Sequence, residues 1–87
     1  MSYKIILIKQ AKKDLKKYRG TPYVNTINEI LKTIHNNPYE PTNSFEKLMP
    51  PGDGYYSRRI NIQDRIVYKI NSEEKLVTIF SVKGHYK

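Results

Sequence analysis

Apolar positions follow two different rhythms along this chain, a helical one in the first half and an alternating one in the second. Residues 3–9 hold the compact run Ile5-Ile6-Leu7-Ile8 between polar ends, which predicts a strand buried on both faces. Residues 10–18 predict a short helix. Ala11, Leu15 and Tyr18 recur at i, i+4 and i+7, with Lys12, Lys13, Lys16 and Lys17 on the other side. Arg19-Gly20 stops that helix. Thr21 then reads as an N-cap with Pro22 in the first helical position. Val24, Ile27, Ile30, Leu31 and Ile34 form one apolar stripe over residues 22–35, and Asn36-Asn37-Pro38 ends it. So short a connection between the two predicts an antiparallel helical hairpin.

Residues 39–54 are rich in proline and glycine and read as a long loop, a kind of segment that usually carries function or is disordered. Phe45 and Leu48 are its expected anchors on the core. Alternation returns at residues 55–60, 65–70 and 75–82, which predict three strands joined by turns at 61–64 and 71–74. Ile66, Tyr68 and Ile70 alternate with Arg65, Val67 and Lys69 in the middle one. The order is β-α-α-β-β-β. It predicts a single α+β domain over residues 1–87, with an antiparallel four-stranded sheet and the helical hairpin packed on one face.

Composition narrows the function. The chain has 87 residues, no cysteine, and 16 Lys plus Arg against 8 Asp plus Glu, for a net charge of +8. Without cysteine there are no disulfides and no thiolate metal sites, which fits a reducing cytoplasm. The longest apolar run is far short of the roughly 18 residues of a membrane span, so no membrane role is expected. A strong basic excess on a small domain favours a polyanionic partner, nucleic acid first and an acidic protein second.

No segment resembles a nucleotide-binding loop, a zinc site or a serine triad, so no cofactor and no metal are expected. Gly52-Asp53-Gly54 is a turn with no helix start after it. What remains is a dispersed polar set: Glu46 in the long loop, Arg58 and Arg59 on the first hairpin strand, Arg65 opening the second, and His85 and Tyr86 after the last. The long loop, the hairpin and the C-terminal end can converge on the sheet face that the helices leave open. Metal-free RNA cleavage requires such a set. A base takes the proton of the 2′-hydroxyl, an acid supplies one to the 5′-oxygen, and cations hold the charge of the phosphorane. Acid and base catalysis contribute roughly 10²–10⁴-fold each, and a fixed cation aimed at developing charge can contribute more. Each of these residues also has a plain reading. Glu46 and Arg65 suit solvated charges, His85 a frayed end, and one of two consecutive strand arginines faces away from any shared site. The eight tyrosines suit packing, although Tyr55, Tyr56 and Tyr86 are candidates for base stacking.

Phe45-Glu46-Lys47-Leu48, Tyr55-Tyr56-Ser57-Arg58-Arg59-Ile60, Asp64-Arg65-Ile66-Val67-Tyr68 and His85-Tyr86, in this order and spacing, resemble the YoeB/Txe toxins of the RelE-like group. The resemblance implies a toxin of a type II toxin–antitoxin system. It would act in the cytoplasm as a metal-independent endoribonuclease that cuts mRNA in the ribosomal A site and stops translation. It also implies a YefM-like antitoxin that blocks the site, operator DNA bound only through the toxin–antitoxin complex, and a homodimer. Carried over by position, Glu46 resembles the general base, His85 the general acid and Arg65 the main phosphate-stabilising cation. Arg59, Arg58 and Lys47 are the expected further RNA or phosphate contacts, and Tyr86 resembles the terminal tyrosine that orients substrate or histidine. The chain departs from the family pattern at Met49, where many members carry lysine, and at Lys87, beyond the usual His-Tyr end. A non-catalytic ParE-like binding toxin and a basic RNA- or protein-binding module stand as alternatives; neither needs Glu46, Arg65 and His85 together.

Overall fold

The computed structural model describes residues 2–48 and 54–83. The elements are β1 (Lys4–Leu7), α1 (Lys9–Lys16), α2 (Tyr23–Asn36), β2 (Glu46–Lys47), β3 (Tyr55–Arg59), β4 (Arg65–Asn71) and β5 (Leu76–Lys83). They form one five-stranded sheet in the order β1-β5-β4-β3-β2. The α+β class and the helical hairpin agree with the sequence pattern. Two details of the sheet do not. A fifth, two-residue strand sits inside the expected loop, where Glu46 and Lys47 pair antiparallel with Ser57 and Tyr56. The sheet is also not wholly antiparallel, because β1 pairs parallel with β5, Lys4 opposite Leu76 through Leu7 opposite Ile79.

β1 is thereby an edge strand. The expectation that it is buried on both faces is corrected: Ile6 is 40% exposed, while Ile5 and Leu7 pack against the core. Apolar continuity reflects a helix-covered face on one side only, and the other side faces outward. Its start is fixed by α2, where the Tyr3 amide donates to the His35 carbonyl and His35 Nδ1 to the Tyr3 carbonyl, both at 2.7 Å.

The core lies between the helices and one sheet face. Ile27, Ile30 and Ile34 of the predicted stripe are buried against Ile66, Tyr68, Val77 and Ile79. α1 contributes Ala11, fully buried, and also Asp14, which is 4% exposed and was no part of the predicted apolar face. Its Oδ2 accepts the Val82 amide at 3.0 Å and its Oδ1 the Gln10 amide at 2.8 Å. β5 has lost β1 as a partner by that point, so the carboxylate stands in for a missing strand. Gly20, at φ +77°, takes the left-handed position that ends the turn after α1.

β5 carries a bulge. Ser81 pairs with Val67 and Ile79 with Tyr68, which leaves Phe80 as the extra residue. Alternation is reset there, so Ile79 and Val82, three apart, both point into the core.

Candidate functional site

Strand periodicity sorts the polar residues before any contact is considered. Side chains at i and i+2 share a face, so Tyr55, Ser57 and Arg59 of β3 lie together on the open face, and Tyr56 and Arg58 on the helix side. The register adds neighbours. Glu46 sits opposite Ser57, and Arg65 opposite both Arg59 and Lys83.

Glu46 and Arg65 meet. An Arg65 guanidinium nitrogen lies 3.5 Å from Glu46 Oε1. The Arg65 side chain is 22% exposed and that of Glu46 59%, so the pair is open to a ligand and contributes no more than about 1 kcal/mol to stability. Arg59 joins them from the neighbouring strand; it is exposed, with one nitrogen 3.2 Å from the Ile62 carbonyl. A carboxylate and two guanidiniums thus share one solvent-accessible face.

The loop before Glu46 explains its placement. Asn43 and Ser44 both adopt left-handed backbone, φ 55° and 54°, and turn the chain back beside β3, where the Arg59 amide donates to the Asn43 carbonyl at 2.7 Å. Phe45 then points inward and Glu46 outward. Phe45 stacks on Tyr56, ring centroids 5.3 Å apart.

Arg58 has another task than the one expected of it. It is fully buried. Its Nε donates to the Tyr68 hydroxyl, one Nη to the Thr42 carbonyl and hydroxyl, and the other to the Pro38 and Glu40 carbonyls. Its carbon Cζ lies 4.8 Å from the Phe45 ring centroid. A guanidinium whose donors are spent on backbone oxygens beneath a loop does not reach a phosphate, so the expected RNA contact is withdrawn. The same burial pushes the Tyr68 hydroxyl up to about 12, with the Arg58 charge opposing the shift. Tyr56 is likewise a packing residue, flanked by Phe45, Tyr39 and Tyr68. Lys47 is exposed and opposite Tyr56 in register, which puts it on the other side of β2 from Glu46.

His85 and Tyr86 lie outside the described residues, as do Met49 and Lys87. Among the described residues no cluster of His, Asp or Glu could hold a metal ion, and no helix is long and apolar enough to cross a membrane. The sequence reading missed Asp14 and the loop-holding role of Arg58. The signal for the second was present: an arginine at the inward alternating position between Tyr56 and Ile60.

The family described as YoeB-like toxin of bacterial type II toxin-antitoxin system matches residues 7–86. A toxin YoeB of Synechocystis sp. is 38% identical over 61 residues, 70% of this chain and 69% of that protein. The YoeB dimer structure from Staphylococcus aureus superposes with a TM-score of 0.81 at 37% identity, covering 99% of this chain and 100% of that one. The YoeB chain of the S. aureus heterotetrameric YoeB-YefM complex gives a TM-score of 0.78 at the same identity and coverage. The YoeB/ParE toxin from Agrobacterium tumefaciens shares the fold, with a TM-score of 0.83 at 24% identity over 95% of this chain and 99% of that one. With a family match across nearly its whole length and the same fold as solved YoeB structures, the chain belongs to the YoeB-like toxins of bacterial type II toxin–antitoxin systems.

Proposed function

We propose that this toxin is a ribosome-dependent endoribonuclease that cleaves mRNA in the A site without a metal. The observation that carries the reading is the Glu46 carboxylate set against Arg65 at 3.5 Å on the open sheet face, with Arg59 opposite Arg65 in register. Glu46 takes the proton from the ribose 2′-hydroxyl. The freed oxygen attacks the adjacent phosphorus, and Arg65 with Arg59 holds the charge that builds on the phosphorane. The 5′-oxygen leaves with a proton. His85 is the proposed donor and Tyr86 the proposed orienting group; Lys83, two residues before His85, is opposite Arg65 in register. The products are a 2′,3′-cyclic phosphate and a free 5′-hydroxyl.

The exposed lysines Lys12, Lys13 and Lys16 of α1, with Lys17 directly after it, are on the helix side, away from Glu46, and serve as the surface for ribosomal RNA. A YefM-like antitoxin, by likeness to the S. aureus complexes, silences the toxin in the cytoplasm and carries the pair to operator DNA. A homodimer is proposed from the S. aureus YoeB dimer.

The test is induction of wild type, Glu46→Ala, Arg65→Ala and His85→Ala in cells, with mRNA 5′ ends mapped. Wild type should give new ends within translated frames, and each variant should lose them by at least 10²-fold. Growth arrest with intact mRNA would sink the nuclease and favour a binding toxin.

A further inference from the structure

The open face carries more than the Glu46–Arg65 pair. Tyr55 lies two residues before Ser57 on β3, about 7 Å along the strand and on the same face. That step is comparable to the phosphate-to-phosphate repeat of an extended single strand. Lys69 is opposite Tyr55 in register, with its Nζ 5.5 Å from the Tyr55 ring centroid. Phe80 reaches the same spot from the far side of β4, its ring 5.2 Å from that of Tyr55 at an interplanar angle of 72°. Phe80 is there because of the β5 bulge; in the regular alternation that resumes at Ser81 and Val82 it has no partner on β4. A bulge beside a functional site commonly re-aims one side chain. Both rings are half-buried, neither is part of the central core, and Lys69 is exposed. Beyond Lys69 the face opens into a shallow recess of about 500 Å³ that runs past Thr78 to Asn71 and Ser72.

Read along β3 and β4, the face presents guanidiniums at Arg59 and Arg65, then two rings, then an ammonium at Lys69. Cations that track a backbone, interleaved with rings on which bases stack, are the physical requirements for holding single-stranded nucleic acid. We propose that Tyr55, Phe80 and Lys69 form a nucleotide subsite beside the scissile phosphate. One base stacks on one ring of the Tyr55–Phe80 pair and meets the edge of the other, and the phosphate of that nucleotide pairs with Lys69. The attraction of a cation for a ring face holds Lys69 beside Tyr55. The subsite rests on the ribonuclease reading, since it places the strand so that the next phosphate meets Glu46 and Arg65.

The experiment uses ribosomes programmed with short mRNAs carrying 2-aminopurine at successive A-site positions, and the full-length protein with Glu46→Gln so that the RNA survives. Binding should quench the fluorescence at one position adjacent to the cut. Adding Phe80→Leu or Tyr55→Leu should abolish that quench and weaken binding between about 5- and 150-fold, whereas Tyr55→Trp should keep both. Lys69→Gln, a surface change, should lower the salt dependence of binding by about one phosphate contact, which a merely structural role would not do. If Glu46→Gln slows cleavage but both leucine variants retain the quench, the subsite is wrong and the nuclease reading stands. If Glu46→Gln cuts at the wild-type rate, Glu46 is not the base; if the wild-type protein leaves the programmed mRNA uncut, the nuclease reading fails and the subsite falls with it.

Discussion

Replacing Arg58 tests whether the buried guanidinium is what delivers Glu46 to its place. The side chain is fully buried and makes five contacts to oxygen, at 2.9 Å to Tyr68, 2.7 and 3.3 Å to Thr42, 3.1 Å to Pro38 and 2.6 Å to Glu40. Arg58→Met keeps most of the volume and removes every donor. Three backbone carbonyls then lose a charge-assisted bond, at about 1.5–3 kcal/mol each, partly offset because each keeps a second donor, the Tyr68 hydroxyl, the Thr42 amide or the Phe45 amide, and because a buried charge is no longer held away from water. The net cost is about 3–5 kcal/mol, against a total of roughly 4–13 kcal/mol for a domain of this length. Arg58→Lys keeps the charge but has one nitrogen where the fork has three, and should cost about 2–3 kcal/mol, or 10–20 °C in Tm. Urea melts measure the global cost. Amide exchange locates it: protection should fall at Phe45, Leu48 and Arg59, whose amides bond Thr42, Tyr55 and Asn43, while the β4–β5 ladder stays protected. Because Glu46 directly follows the held loop, the lysine variant should also lose about 10²-fold in single-turnover cleavage. Unchanged exchange over residues 42–48 and a stability within about 0.5 kcal/mol of wild type would refute the role assigned to Arg58.

Other consequences can be measured separately. Asp14→Ala leaves the buried Val82 amide without its acceptor and should cost about 1–3 kcal/mol, with faster exchange at Val82; an unaffected Val82 amide would contradict the strand-substitute role. Tyr68 should ionise near pH 12 against an ordinary 10. Its raised folded value means that its contribution to stability is complete below pH 10 and lost as pH climbs through 12, and Tyr68→Phe should remove the phase near pH 12 from a 295 nm titration. Lys12→Gln with Lys16→Gln should flatten the salt dependence of ribosome binding by about two contacts and leave the cleavage rate of the bound complex unchanged. An unaltered slope would remove the α1 face from the docking surface. Glu46→Gln should shift stability by less than about 1 kcal/mol, which a denaturant melt can check against its loss of cleavage.

Periodicity in the chain was enough to place α2, β3, β4 and β5 within a residue or two, because each carries a strong local pattern that tertiary packing reinforces. It marked Glu46, Arg58, Arg59 and Arg65 as a polar set and put one of the two β3 arginines on each face, but not which one on which. Strand direction and edge position were not legible. β1 is parallel to β5 because of a pairing some seventy residues away, and no local pattern encodes a distant partner. The two-residue β2 exists only because β3 offers it a ladder. The division of labour between Arg58 and Arg59 follows the same logic: adjacent, chemically identical residues differ only in which face of β3 they occupy and what lies over it. The loop from Pro38 to Phe45 folds over one and leaves the other in water. Local sequence thus determined the elements and the stock of chemical groups, while long-range pairing, with its large loop-closure cost, decided which groups meet and which are buried.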